Sequence, residues 1–157
     1  MVSIVTGKIN SGKTTQMLAR YLNNPVGDGF ISLKTMKDGR VMKYDLLQLS
    51  NNHETPFVVH ELDLLNQEVA TQLGPYCFLK EGLDDVEKRI EQMIQKSVEP
   101  IYLDEIGVLE LKGQGFSNIL KKLVASKLDL VLSIRQDLIE EVKRQFKMEE
   151  TEILRDI

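Results

Sequence analysis

Apolar positions fall into two rhythms along this chain. Short, mostly apolar runs occur at Val2–Thr6, Phe57–His60, Ile101–Leu103 and Leu128–Ile134. Such runs predict strands, and the run at 128–134 lacks alternation, as a strand covered on both faces should. Elsewhere apolar residues return every three or four positions, which predicts amphipathic helices. Met17, Leu18, Tyr21 and Leu22 give one face of a helix over Gly12–Asn23, stopped by Asn24 and Pro25. Val86, Ile90, Met93, Ile94 and Val98 give another over Leu83–Val98, with Asp84 and Asp85 suited to its positive end. Further helices are predicted over Gly115–Lys127 and Asp137–Phe146. Phe30–Lys37 and Arg40–Leu49 flank Asp38-Gly39, a two-residue hairpin signal. A simple register about that turn sets Lys37 against Arg40, Lys34 against Lys43 and Leu33 against Tyr44. Opposed lysines are unfavourable, so either Asp45 relieves them or an anion sits between them. Residues 62–73 fit a short helix or a loop and strand equally. Tyr76–Leu79 reads as extended, and Glu152–Ile157 as a last strand. Alternating strands and helices predict an α/β fold in three layers, with a mostly parallel central sheet and an inserted β-hairpin.

Composition narrows the class without naming the chemistry. The chain has 157 residues, 42% hydrophobic and 28% charged, which suits a single globular domain over 1–157. Its 24 acidic and 20 basic residues leave a net charge of −4, against a nucleic-acid or membrane partner. Met1–Val5 is too short for a signal segment, so a cytoplasmic location is expected; the chain is separately expected to be a monomer. Cys77, the single cysteine, reads as a small buried hydrophobe, and its spacing to His53 and His60 is not that of a zinc site.

Gly7-Lys8-Ile9-Asn10-Ser11-Gly12-Lys13-Thr14 matches G-x-x-x-x-G-K-S/T, between a predicted strand and a predicted helix. That context is what a phosphate-binding loop requires. Glycines let backbone N–H groups converge on an anion, and the helix end adds its dipole. Lys13 is suited to the β- and γ-phosphates, Thr14 to Mg²⁺ through its hydroxyl, and Thr15 to the α-phosphate. The nucleotide-binding stretch is therefore Gly7, Lys8, Ile9, Asn10, Ser11, Gly12, Lys13, Thr14 and Thr15, with the Lys8 side chain in solvent.

The reaction is written elsewhere, in IYLDEIGVLEL at 101–111. Asp104 ends an apolar strand in the Walker B manner and is a candidate for the Mg²⁺ shell with Thr14. Glu105 stands at the carboxyl edge of the sheet, where it could deprotonate a water attacking the γ-phosphate. Glu110 either lines the site or makes a structural contact, and Gly107 serves a turn. Arg135 follows a predicted strand and is a candidate for stabilising phosphoryl charge. Arg40 is either a solvated hairpin tip or a basic contact to nucleotide. No N-K-x-D follows a strand, so guanine specificity has no support. The few, scattered arginines do not suit a nucleoside monophosphate kinase.

The pairing of GKINSGKTT with LDEIGVLELKGQGF resembles the small P-loop nucleoside-triphosphatases of the THEP type. The likeness extends to Gly29-Phe30, Arg40, Tyr44-Asp45, Gly74-Pro75-Tyr76 and Arg135. It implies a single-domain α/β protein that hydrolyses ATP, GTP and other NTPs with Mg²⁺. It also implies phosphate and Mg²⁺ binding by Lys13 and Thr14, Asp104 as the Walker B acid, and Glu105 as the base. One departure stands out. The family pattern has an acidic residue and an arginine near 33–36, where this chain has Leu33, Lys34, Thr35 and Met36. Two other readings stay open: a small-molecule or nucleotide kinase, in which Glu105 serves an acceptor hydroxyl, and a nucleotide-binding adaptor that barely hydrolyses.

Overall fold

The structure is a computed structural model that describes residues 1–8 and 11–154. Its strands are β1 (Val2–Gly7), β2 (Asp28–Lys37), β3 (Arg40–Gln48), β4 (Glu54–His60), β5 (Val69–Leu73), β6 (Tyr76–Leu79), β7 (Ile101–Ile106), β8 (Leu130–Arg135) and β9 (Thr151–Leu154). They form one nine-stranded sheet in the order β5-β6-β4-β3-β2-β7-β8-β1-β9. From β2 to β9 the neighbours run parallel. From β2 outward through β3, β4, β6 and β5 they run antiparallel. The predicted hairpin is thus the inner part of a larger antiparallel wing that continues the same sheet.

Helices α1 (Lys13–Asn23), α2 (Lys80–Gln95), α3 (Val108–Leu111), α4 (Ser117–Ser126) and α5 (Ile139–Gln145) complete the layers. Successive strand residues face opposite ways, and the core divides accordingly. Ile4, Leu103 and Leu132 pack with Val86 and Ile90 of α2, Ile119 and Leu123 of α4, and Val142 of α5. On the other face Val5, Tyr102 and Val131 pack with Met17 and Tyr21 of α1. The apolar stripe of α1 is narrower than its sequence suggests, because Leu22 is 66% exposed. No helix among the described residues is long and apolar enough to cross a membrane. Cys77 is buried in β6.

Several expectations need correction. The hairpin does turn at Asp38-Gly39, with both residues at positive φ, and Lys37 does face Arg40. A bulge between Thr35 and Met36 then moves the register by one, so Lys34 faces Tyr44, Lys43 faces Thr35 and Leu33 faces Asp45. No lysine pair forms; Lys43 instead meets Asp45 at 3.1 Å. The ambiguous segment resolves into a single 3-10 turn at Glu61–Asp63 and strand β5. Helix α2 starts earlier than predicted, at Lys80, and runs through Gly82. A Cβ at Gly82 would lie 2.2 Å from the Pro56 carbonyl of β4, so this glycine permits close packing on the sheet. The last strand is described only over Thr151–Leu154; residues 155–157 lie outside the described part.

Candidate active site

The phosphate-loop sequence lies where the motif requires, between β1 and α1. Gly12 precedes the helix at φ 88°, a left-handed conformation that glycine adopts without a Cβ penalty. The Lys8 carbonyl accepts from the Ser11 N–H at 3.1 Å and from Lys13 Nζ at 2.9 Å. Lys13 therefore reaches back to Lys8, near the start of the motif. The Lys8 side chain is exposed. Ile9 and Asn10, expected to donate backbone N–H groups to phosphate, lie outside the described residues.

Strand β8 separates β1 from β7, yet side chains close the distance. Thr14 Oγ1 donates to Asp104 Oδ2 at 2.6 Å. Asp104 is 1% exposed and also accepts from the Ser32 N–H at 3.1 Å, while Ser133 Oγ donates to its other oxygen. A carboxylate this buried needs such partners to remain in place.

The β7–β8 pairing explains how Asp104 and Glu105, adjacent in sequence, both come to line one cleft. Leu103 pairs with Leu132 and Ile106 with Ile134, so two residues of β7 oppose Ser133 alone. This is a bulge, a device that re-aims side chains and concentrates beside active sites. Glu105 takes φ 62°, an uncommon value for a residue with a side chain. The Ser133 hydroxyl accepts from the Glu105 N–H at 2.6 Å and so fills the gap in the ladder.

Ser11, Gly12, Lys13, Thr14, Thr15, Asp104 and Glu105 all line one cavity of about 330 Å³. The sequence motifs are thus brought together. Ser32, Leu33, Lys34 and Tyr44 also line it; the sequence singled out Lys34 only as half of an opposed lysine pair and Tyr44 only through the family likeness, and it did not mark Ser32. Leu33 and Lys34 occupy the segment that departs from the family pattern. Solvent reaches Glu105 through the cleft, but protein crowds its carboxyl group. This desolvation, together with the charge of Asp104, raises its pKa from 4.5 to about 7, against the opposing pull of Lys13 and Lys34. Burial raises the Tyr44 phenol, and the charge of Glu105 adds to that shift.

Three candidates have other partners. Glu110 is 4% exposed; its Oε1 accepts from the Gly107 N–H at 2.8 Å and its Oε2 from the Phe116 N–H at 2.9 Å. It braces the turn after Glu105, the structural alternative. Burial raises its pKa, and these two bonds lower it in part. Arg135 pairs with Gly7 across β8 and β1, but its Nε donates to Asp137 and it is not among the residues lining the cavity. Arg40 is not a free hairpin tip: with Lys37 it holds Asp63, at 2.7 and 3.2 Å, and it is not among the described residues lining the cavity.

The donor set suits a hard divalent cation. A carboxylate and a hydroxyl touch at the head of a cleft lined by a phosphate loop, and Mg²⁺ is held by few protein oxygens plus phosphates and water. Asp104 and Thr14 are the residues that would hold it.

Comparison with known proteins places the chain in a family. A family described as NTPase matches residues 3–156. The nucleoside-triphosphatase THEP1 of Methanocaldococcus jannaschii is 25% identical over 144 residues, covering 88% of this chain and 81% of that protein. The nucleoside-triphosphatase THEP1 of Archaeoglobus fulgidus is 25% identical over 150 residues, covering 92% and 85%. The solution structure of a human cancer-related nucleoside triphosphatase aligns over 99% of this chain and 88% of its own, with a TM-score of 0.65 at 19% identity. That likeness is one of fold.

Proposed function

We propose, for a chain that belongs to the THEP-type NTPase family, that it hydrolyses ATP, GTP and other nucleoside triphosphates with Mg²⁺, releasing phosphate. The observation that carries this reading is the 2.6 Å contact between Thr14 and Asp104. It joins the phosphate loop to the β7 acid and leaves Glu105 on the wall of the same cleft.

In this reading the loop residues Gly7 to Thr15 bind the triphosphate through backbone N–H groups. Lys13 leaves the Lys8 carbonyl for the phosphates and draws charge toward the leaving oxygen. Mg²⁺, when bound at the Asp104–Thr14 position, would supply charge neutralisation to the triphosphate. Asp104 and Thr14 hold that position, and Ser133 and Ser32 hold Asp104. Glu105 orients a water in line with the γ-phosphorus and takes its proton, an assignment that stands on its place in the cleft. Arg135, released from Asp137, would add positive charge beside Gly7. No side chain of the described cleft suggests a base-reading motif, which supports a broad choice of base. The reading takes residues 1–157 as one domain, acting as a cytoplasmic monomer on free nucleotide without nucleic acid or membrane.

Phosphate release measured with ATP, GTP, CTP and UTP tests it. Turnover is expected with all four, abolished by EDTA and by Lys13→Ala. Turnover that survives EDTA, or that is confined to one base in competition, would overturn the corresponding part.

A further inference from the structure

The phosphate cleft has a neighbour. A second cavity, of about 220 Å³, lies on the β4 and β6 side of Glu105. Ser32, Tyr44, Asp104 and Glu105 line both cavities, so the two meet at the carboxylate assigned to the attacking water.

Their walls differ in kind. Lys13 and Lys34 stand in the phosphate cleft. The second cavity is walled by Phe57, Tyr76, Phe78 and Phe116, with Tyr44 at the junction. Phe57 stacks on Phe116 with centroids 5.1 Å apart, meets Phe78 edge-on at 5.5 Å, and Tyr44 meets Tyr76 edge-on at 6.4 Å. Such edge and stacked faces receive another ring readily. No lysine or arginine is among the described residues of this wall. Its polar side is acidic, and the Glu110 carboxylate there is already held by two N–H groups.

Hydrolysis alone does not call for this space. One water takes about 30 Å³, whereas about 150 Å³ is enough for benzene. A cavity of about 220 Å³ suits a substituted ring. Cation-free walls and an acidic mouth disfavour a phosphate-bearing guest.

We propose that this cavity is an acceptor site for an uncharged, ring-bearing alcohol, such as a nucleoside or an aryl alcohol, which competes with water for the γ-phosphoryl group. The proposal rests on Glu105 acting as in the hydrolytic reading. The acceptor oxygen forms a bond to the γ-phosphorus while the bond from that phosphorus to the β,γ-bridging oxygen breaks. The hydroxyl proton passes to Glu105 and on to solvent, and the products are a phosphate monoester and NDP.

³¹P NMR of reactions containing ATP, Mg²⁺ and benzyl alcohol, 2-phenylethanol, adenosine or uridine tests it, with AMP as the charged comparison. Wild type should form a monoester beside inorganic phosphate with at least one neutral alcohol, and none with AMP. Val108 lines only the second cavity. Val108→Phe should occupy the acceptor's space and lower ester formation about ten-fold or more, the equivalent of ~1.4 kcal/mol of binding, with acceptor-free hydrolysis unchanged. Phe78→Ala provides a second variant should Val108→Phe not fold, with a raised KM for the alcohol. Intact hydrolysis without ester from any neutral alcohol, ester only with AMP, or equal ester from Val108→Phe would overturn the proposal. If wild type releases no phosphate at all, the hydrolytic reading fails instead. Saturation-transfer NMR with benzyl alcohol on the nucleotide-free protein still decides the cavity: transfer lost in Val108→Phe supports it, and no transfer in wild type overturns it.

Discussion

Ser133 is a fully buried hydroxyl among the apolar residues Leu130–Ile134 of β8, and it joins the two carboxyl residues of β7. It donates to Asp104 and accepts from the Glu105 N–H. Ser133→Ala leaves that N–H without its partner, and an unpaired buried group costs about 1–3 kcal/mol. We predict a lower unfolding temperature, seen by thermal denaturation, together with reduced turnover and a higher Mg²⁺ concentration for half-maximal turnover. Unchanged Mg²⁺ dependence would count against its hold on Asp104. Glu105 itself is destabilising when ionised. Its pKa is raised from 4.5 to about 7, so the folded state favours the acid form. That contribution to stability is fully present below 4.5 and is lost as pH rises through about 7. In the metal-free protein, wild type should therefore lose stability relative to Glu105→Gln across this window. A pH-independent difference between the two would argue that Glu105 is not desolvated. Asp104 and Glu105 were legible because an apolar strand ended in them. The left-handed backbone of Glu105 was not, because it arises from a bulge formed against another strand.

At the scale of elements, the short helix α3 and its acid Glu110 hold the chain beyond the bulge. One oxygen takes the Gly107 N–H and the other the Phe116 N–H, which fixes both ends of the segment between Glu105 and α4. Glu110→Gln can satisfy one of these and not the other, since its amide nitrogen cannot accept. The expected cost is about 1–3 kcal/mol, read as a denaturant midpoint shift with nucleotide binding retained. A midpoint equal to wild type would show that the brace is not needed. The hairpin shows where pattern runs out. Asp38-Gly39 fixed the turn correctly, and Lys37 faces Arg40 as a simple count demands. Two positions on, the bulge at Thr35 and Met36 shifts every later pair, and no local residue type announces it. That shift also sets Lys34 against Tyr44, both on the wall of the phosphate cleft.

For the whole molecule, the alternation of buried runs and amphipathic stretches was enough to predict a layered α/β architecture. It did not predict the strand order, which places β8 between β1 and β7. It also did not extend the hairpin into a wing that ends in β6 and β5. Sheet order is decided by pairing between distant segments, and periodicity is a local property. The second cavity was illegible for the same reason: Tyr44, Phe78 and Phe116 come from β3, β6 and the approach to α4. The proposed function turns on Glu105 carrying the proton from the attacking group while the loop and Asp104 bind nucleotide and metal. Single-turnover phosphate release from Mg·ATP, measured on wild type and Glu105→Gln with nucleotide affinity determined in parallel, decides this. The expected rate for Glu105→Gln is lower by roughly 10²-fold or more, the size of a general-base contribution, at unchanged affinity. A Glu105→Gln rate matching wild type would contradict it.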